Sequence, residues 1–173
     1  MNYISVFTDG AVPNNQFQGN RKGGIGVFFS NSQNKTGNCD SRNLSYSILE
    51  TKDYKVTNQV CELLACISAL ETIITTQIIG KNEIIIYTDS MYVINSITEW
   101  AKNWKKNNWK RSDNKPIQNL ELIQKLYYLS KNLKVGYKHV KAHTNPPSEY
   151  SDEYFEWYGN YMADKLAVQA CLK

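Results

Sequence analysis

Four acids in four short motifs are the side chains of this chain best suited to chemistry: Asp9 in VFTDG, Glu62 in TNQVCELLACISALE, Asp89 in IIIYTDS and Asp164 in NYMADKLA. Each reads as lying at a strand end or on a helix, among apolar residues that would hold it in place. Carboxylates gathered in one cleft repel each other unless a cation neutralises them. A ligand set made only of oxygens suits Mg²⁺ or Mn²⁺ rather than zinc. The chemistry expected of such a site is metal-assisted attack at phosphate. Singly, each acid has a plainer explanation. Asp9 before Gly10 is an ordinary turn pair, and Asp89 before Ser90 a helix N-cap. Glu62 on an apolar helix could face solvent, and Asp164 in the first turns of a helix would meet the positive end of its dipole. The combination carries the metal reading.

The elements that must position these acids follow from periodicity. Residues 2–9 alternate apolar and polar, as a strand does. Gly23–Phe29 reads as a second strand reached through a glycine turn, and Leu44–Leu49 as a third, so hairpins are expected. The period then changes. Val60, Leu63, Leu64, Ile67, Leu70 and Ile74 trace one face of an amphipathic helix, with Thr57 or Asn58 as N-cap. Glu83–Thr88 is a buried strand, too β-branched for a helix. Helical patterns return over Ser90–Lys102, Ile117–Lys131 and about Asn160–Cys171, the last with Ala163, Leu166, Ala167 and Ala170 on one face. Lys134–Val140 alternates between them as a strand. The order βββ-α-β-α-α-β-α predicts a mixed sheet with helices on its faces, an α/β (mixed α+β) class. Ligands in such sheets gather beyond the carboxyl ends of strands, where Asp9 and Asp89 stand.

Taken together, FTDG (7–10), GNRKGGIG (19–26), TNQVCELLACISALE (57–71), YTDSMYVINSITEWAKNWKKNNWK (87–110), NKPIQNLEL (114–122), VKAHT (140–144) and NYMADKLA (160–167) resemble type 1 ribonuclease H, in that family's order and over most of the chain. The TDS-to-NWKK block is the specific part; FTDG alone is weak. The resemblance implies a ribonuclease H-like fold with a five-stranded mixed sheet and helices on both faces. It implies hydrolysis of the RNA strand of RNA–DNA hybrids, leaving 5′-phosphate and 3′-hydroxyl ends. It further implies two Mg²⁺ ions, with Mn²⁺ as a substitute, about 4 Å apart around the scissile phosphate. On that basis Asp9 bridges both ions, Glu62 and Asp89 complete one side and Asp164 the other. His143, on a loop after the fifth strand, matches the family's mobile histidine, and imidazole is suited to moving protons near neutral pH. His139 falls inside the strand pattern and reads as structural.

The same resemblance assigns Thr57, Asn58 and Gln59 to the nucleic-acid backbone, at a helix start whose amides favour phosphate in any case. Gln59 is longer than the asparagine expected there. Trp100, Lys102, Trp104, Lys105, Lys106 and Lys110 fall in a block of interleaved tryptophans and bases that ends at Arg111, similar to the family's basic protrusion near residues 100–115. The tryptophans read as packed inward and the lysines as gripping DNA phosphate, a contact that is salt-sensitive and sequence-independent.

Departures from the pattern cluster in loops. Extra residues fall in AVPNNQFQGNRK and in SNSQNKTGNCDSRN, which read as polar hairpin loops that tolerate insertion, and the stretch between His143 and Asp164 is also extended by NPPSEYSDEYFEWYG, rich in acids and aromatics. The acids of the last, Glu149, Asp152, Glu153 and Glu156, read as part of a structural or partner-binding loop rather than as metal ligands. Ala142 replaces a more usual glycine before the histidine, which reduces the loop's freedom, and Val60 replaces a frequent basic residue. Three other readings compete: a silent hybrid-binding module, a transposase-like nuclease on the same fold, and a domain cut from a reverse transcriptase. The four acids, His143 and the protrusion favour the stand-alone enzyme.

The 173 residues, 42% of them apolar, fit one globular domain over 1–173, with monomer as the default. No apolar run reaches membrane-span length and no signal or transit peptide is legible, so an intracellular, cytoplasmic location with no membrane partner is expected. The formal net charge of +4 favours a polyanion only where it is clustered. Cys39, Cys61, Cys66 and Cys171 form no CxxC pair and read as free thiols.

Overall fold

The structure is a computed structural model that describes residues 3–13, 21–30, 42–52, 55–76 and 83–173. The loop insertions over 14–20 and 31–41, including Cys39, lie outside the described residues. Strands β1 (Tyr3–Ala11), β2 (Lys22–Ser30) and β3 (Leu44–Leu49) are followed by helix α1 (Asn58–Thr75) and strand β4 (Glu83–Thr88). Then come α2 (Met91–Asn95), a π-helical turn over Ser96–Trp100, α3 (Ala101–Lys106), α4 (Leu120–Asn132), β5 (Gly136–His139) and α5 (Tyr154–Cys171). The strands form one five-stranded sheet in the order β3-β2-β1-β4-β5. β1, β2 and β3 pair antiparallel, as the hairpin spacing predicts, while β4 runs parallel to β1 and to β5. This is the expected mixed sheet of the ribonuclease H fold.

Alternation along β1 sends its side chains to opposite faces. Val6, with Val27, Phe29, Ile84 and Ile86, packs under Leu63, Ile67, Leu70 and Ile73 of α1 and Ile123 and Leu126 of α4. Phe7, with Phe28, Tyr87 and Val140, packs on the other face against Ala163 of α5. Phe7 stacks on Tyr87 across the parallel pair, with centroids 4.5 Å apart and planes 15° apart. Each fully buried Leu, Ile or Phe contributes roughly 1.5–3 kcal/mol. The two faces together therefore fix both helices that carry acids.

Several expectations are corrected. Gly23 and Gly24 form no turn; they lie within β2, and the glycines of that strand make room for helices on both faces. A Cβ at Gly26 would run into the Ala163 carbonyl and Ala167 backbone of α5, so the strand–helix spacing there requires glycine. In α1, Ile73 is buried and Ile74 largely exposed. Helix α1 is covered by the sheet on one side and α4 on another, so burial spreads beyond a single stripe. Helix α4 begins at Leu120 rather than Ile117, because Asn119 sits at φ 58, outside helical space. The helical path from Ser90 continues past Lys102 to Lys106 through its π turn. The final helix starts at Tyr154, six residues before the expected Asn160, because Phe155 and Tyr158 give it an aromatic face that packs on Phe7, Phe28 and Tyr87.

Candidate active site

β1 and β4 lie side by side in parallel register, Thr8 opposite Thr88, so the residues that follow, Asp9 and Asp89, reach the same end of the sheet. Asp9 is inside β1 and not in a turn; its Oδ1 accepts from the Gly10 amide at 2.9 Å. Asp89 is not the N-cap of α2. Ser90 takes that role, its Oγ accepting from the Val93 amide at 3.2 Å, which leaves the Asp89 carboxyl unused by the helix. Glu62, one turn into α1, is buried rather than solvent-facing. Gly10 permits this: a Cβ there would lie 2.7 Å from the Cys61 backbone and the Glu62 nitrogen, pushing α1 off the strand. Thr57 sets the start of the helix, its Oγ1 accepting from the Val60 amide at 3.1 Å, and Val60 is fully in the core.

Asp9, Glu62 and Asp89 offer carboxylate oxygens that all lie within 4.8 Å of one another, the one metal-compatible group among the described residues. Burial pushes the Asp9 carboxyl far above the usual carboxylate range, and the charges of Glu62 and Asp89 push it further. Burial and Asp89 also raise Glu62. The hydrogen bond between the pair adds to the rise at Asp9 and opposes it at Glu62. Asp89 is raised by burial and by Asp164, against the pull of His143 and His139. Asp164, on α5, raises all three acids but lies outside their metal-compatible group. It stands in the third turn of its helix, so the helix dipole is not what places it. Glu62 Oε2 is buried with no hydrogen-bond partner. A buried anionic oxygen left unpaired is costly, and a divalent cation removes that cost for all the acids together. The site therefore fits a hard cation bound by oxygen.

His143 is exposed at φ 52 and lines a cavity of about 190 Å³ with Lys141, Thr144, Trp157, Asn160, Tyr161 and Asp164. Of these neighbours the sequence reading named only Asp164. The signal was available: Trp157, Tyr161 and Asp164 follow i, i+4, i+7, which is legible only once 154–159 is helix rather than loop. His139 is more than a strand residue, since its Nε2 lies 3.2 Å from the Asp89 carbonyl and, facing an acceptor, must donate. The acids of the inserted stretch take no part in the metal-compatible group, and Glu156 is paired with Lys138.

The residues predicted to touch nucleic acid fall into separate groups. Thr57 and Gln59 line a groove of about 640 Å³ with Lys55 and residues 118–122, so Gln118 and Asn119 join them; Asn58 is exposed beside it. Lys102, Lys105 and Lys106 line a cavity of about 700 Å³ against α4, where Lys131 adds a fourth cation. The Lys105 Nζ lies 5.5 Å from the Tyr128 ring. Trp100 and Trp104 are half-buried and pack on each other at 5.9 Å, and Trp109, at φ 58, leans on Tyr127 and Tyr128. Lys110 is exposed. Cys61 and Cys66 are buried free thiols and Cys171 a half-buried one. Among the described residues, no helix is long and apolar enough to cross a membrane.

A family model described as RNase H matches residues 1–172. A curated ribonuclease H of Ruthia magnifica subsp. Calyptogena magnifica is 36% identical over 96% of this chain and 94% of its own length. The crystal structure of LC9-RNase H1, a type 1 RNase H with the type 2 active-site motif, superposes with a TM-score of 0.70 at 22% identity, covering 99% of this chain and 72% of that one. The foamy viral protease-reverse transcriptase in complex with RNA/DNA hybrid gives 0.72 at 20% identity, over 98% of this chain and 20% of that one. At these identities the two structures speak for the fold, and the matches in sequence carry the family. The chain, with its buried carboxylate cluster at the end of a mixed sheet, belongs to the RNase H family of phosphodiester-hydrolysing nucleases.

Proposed function

We propose that this enzyme cuts the RNA strand of RNA–DNA hybrids, leaving 5′-phosphate and 3′-hydroxyl ends, with Asp9, Glu62, Asp89 and Asp164 holding two divalent cations. The observation that carries this reading is the trio of carboxylates within 4.8 Å, two of them buried, around an unpartnered Glu62 oxygen. Mg²⁺, or Mn²⁺ in its place, supplies an activated water and charge neutralisation at the leaving oxygen when bound there. The protein's own residues do the rest. Asp9 and Asp89 give up freedom to rigid strand ends and Glu62 to a buried helix, so the ligand set is preorganised. Asp164 approaches from the opposite face of the sheet on α5. His143, on the rim of the Asp164 cavity, takes or delivers a proton at its imidazole nitrogen. Thr57, Asn58 and Gln59 hold backbone at the start of α1, while Lys102, Lys105, Lys106 and Lys110, beside Trp100 and Trp104, form the basic protrusion on the DNA strand. The chain works as one domain and as a monomer inside the cell, and its ligand matches that of the reverse transcriptase complex named above.

The test is cleavage of a labelled RNA–DNA hybrid with Mg²⁺, beside single-stranded RNA, duplex RNA and duplex DNA, with Asp89→Asn as control. RNA cut in the hybrid alone, and lost in the variant, is the expected result. A folded protein that binds hybrid but leaves it intact would overturn the assignment in favour of a silent binding module.

A further inference from the structure

The loop that carries His143 contains no glycine between Lys141 and Ser151, yet His143 adopts φ 52. A residue with a side chain enters that region at a cost of about 1 kcal/mol or more and stays there only when its surroundings hold it. The hold is visible one residue on. Trp157 of α5 donates its indole Nε1–H to the Thr144 carbonyl at 3.1 Å. The indole is itself fixed. It stacks on Tyr161 at 5.2 Å with planes 14° apart, and Tyr154 covers it at 5.5 Å and 33°. Trp157 lies two turns before Asp164 on the same side of α5, and both line the cavity that His143 rims.

We propose that Trp157 is a positioning residue: its indole N–H pegs the loop at Thr144, so that the histidine and the acid of α5 are held in one frame. A mobile loop would be tethered by glycine; here Ala142 stiffens the approach and the indole supplies the fixed point. One helix then sets the place of both Asp164 and His143, and hydrogen bonding rather than loop freedom decides where the imidazole stands. Tyr154 and Tyr161 serve the same end by preventing the indole from rotating away. The inference rests on the reading that His143 acts in catalysis.

The test is a double-mutant cycle of Trp157→Phe and His143→Ala, assayed on hybrid at saturating Mg²⁺. Phenylalanine keeps a stacked ring and removes the donor. Trp157→Phe alone is expected to lower kcat by about two- to tenfold, the worth of one hydrogen bond, with KM unchanged. In the His143→Ala background the same change is expected to leave kcat within about twofold, because the peg has nothing left to position. Losses that simply multiply overturn the proposal while leaving His143 in its role. A raised KM at constant kcat also overturns it, since the rings would then be binding substrate. Full kcat in His143→Ala alone removes the histidine's role and the peg's with it. Should the variant fold poorly, the wild-type protein answers the question by NMR. A Trp157 indole proton protected from solvent exchange supports the peg, and one exchanging as fast as an exposed indole overturns it.

Discussion

Asp9 illustrates how much of this site is electrostatic conflict. Its carboxyl is buried beside two others, and burial and neighbouring negative charge raise the proton affinities of Asp9, Glu62 and Asp89. Asp9→Asn replaces the carboxyl by a neutral amide of nearly the same shape. It is expected to abolish cleavage and yet to stabilise the metal-free fold by about 1–3 kcal/mol, because the cost of holding an ionisable carboxyl buried beside two others is removed. The pH dependence has a definite sign. A carboxyl whose pKa rises on folding is neutral in both states below its ordinary range of about 4. As pH climbs, the unfolded chain ionises first, so stability falls. The Tm advantage of Asp9→Asn in chelator should therefore vanish near that range and widen toward neutrality, and Mg²⁺ should close the gap. Calorimetry across pH, with and without Mg²⁺, checks both; an advantage that does not change with pH would mean the carboxyls are not buried as described. These motifs pointed to Asp9, Glu62 and Asp89, which the structure brings together, but not to the burial of Glu62 or to Ser90 taking the cap beside Asp89. Burial depends on atoms far away in sequence, and the cap is settled between neighbours, Ser90 and Asp89, that are both fit for it.

Helices α1 and α5 carry one acid each and press on opposite faces of the sheet, so their distance from β1 and β2 sets the geometry of the ligands. Glycine makes both approaches possible. Gly26→Ala forces a Cβ into the backbone of α5 and is expected to cost about 1–3 kcal/mol through overpacking. Because Asp164 rides on that helix, activity should fall in protein that remains folded, and Mg²⁺ should stabilise the variant less than the parent. Chemical denaturation and a Mg²⁺ titration of Tm measure the two effects; an unchanged Mg²⁺ response would show that α5 gives way without moving Asp164. At the start of α1, Thr57→Ala removes the cap and is expected to cost about 1 kcal/mol, read as a lower denaturation midpoint. Element types were legible here from period 2 and period 3.6, and β3 and β4 have the predicted bounds. The start of α5 was not legible, because SEYSDEYFEWYG has polar loop composition and becomes helix through aromatic packing on Phe7, Phe28 and Tyr87. The glycines of β2 likewise looked like turn residues until the helices against them were seen.

At the scale of the whole molecule, a modest charge of +4 becomes useful only by being concentrated. Lys102, Lys105 and Lys106 meet Lys131 around one cavity, while Thr57 and Gln59 share another groove with residues 118–122. Replacing both Lys105 and Lys106 with Ala should raise KM and reduce the slope of log KM against log salt by about 1–2, since each phosphate contact contributes nearly one. Kinetics over a salt series decides this, and an unchanged slope would show that the protrusion does not reach phosphate. The sequence by itself determined the sheet-and-helix order, the candidate acids, the basic block and the family, because these are written in residue type and local period. Tertiary structure alone decided that Asp9 and Asp89 become neighbours through the parallel pairing of β1 with β4, and that Lys131 joins the protrusion. It also decided that His139 meets the Asp89 carbonyl and that Trp157 holds the His143 loop. Each of these is a contact between residues distant along the chain, fixed by packing that no local pattern encodes.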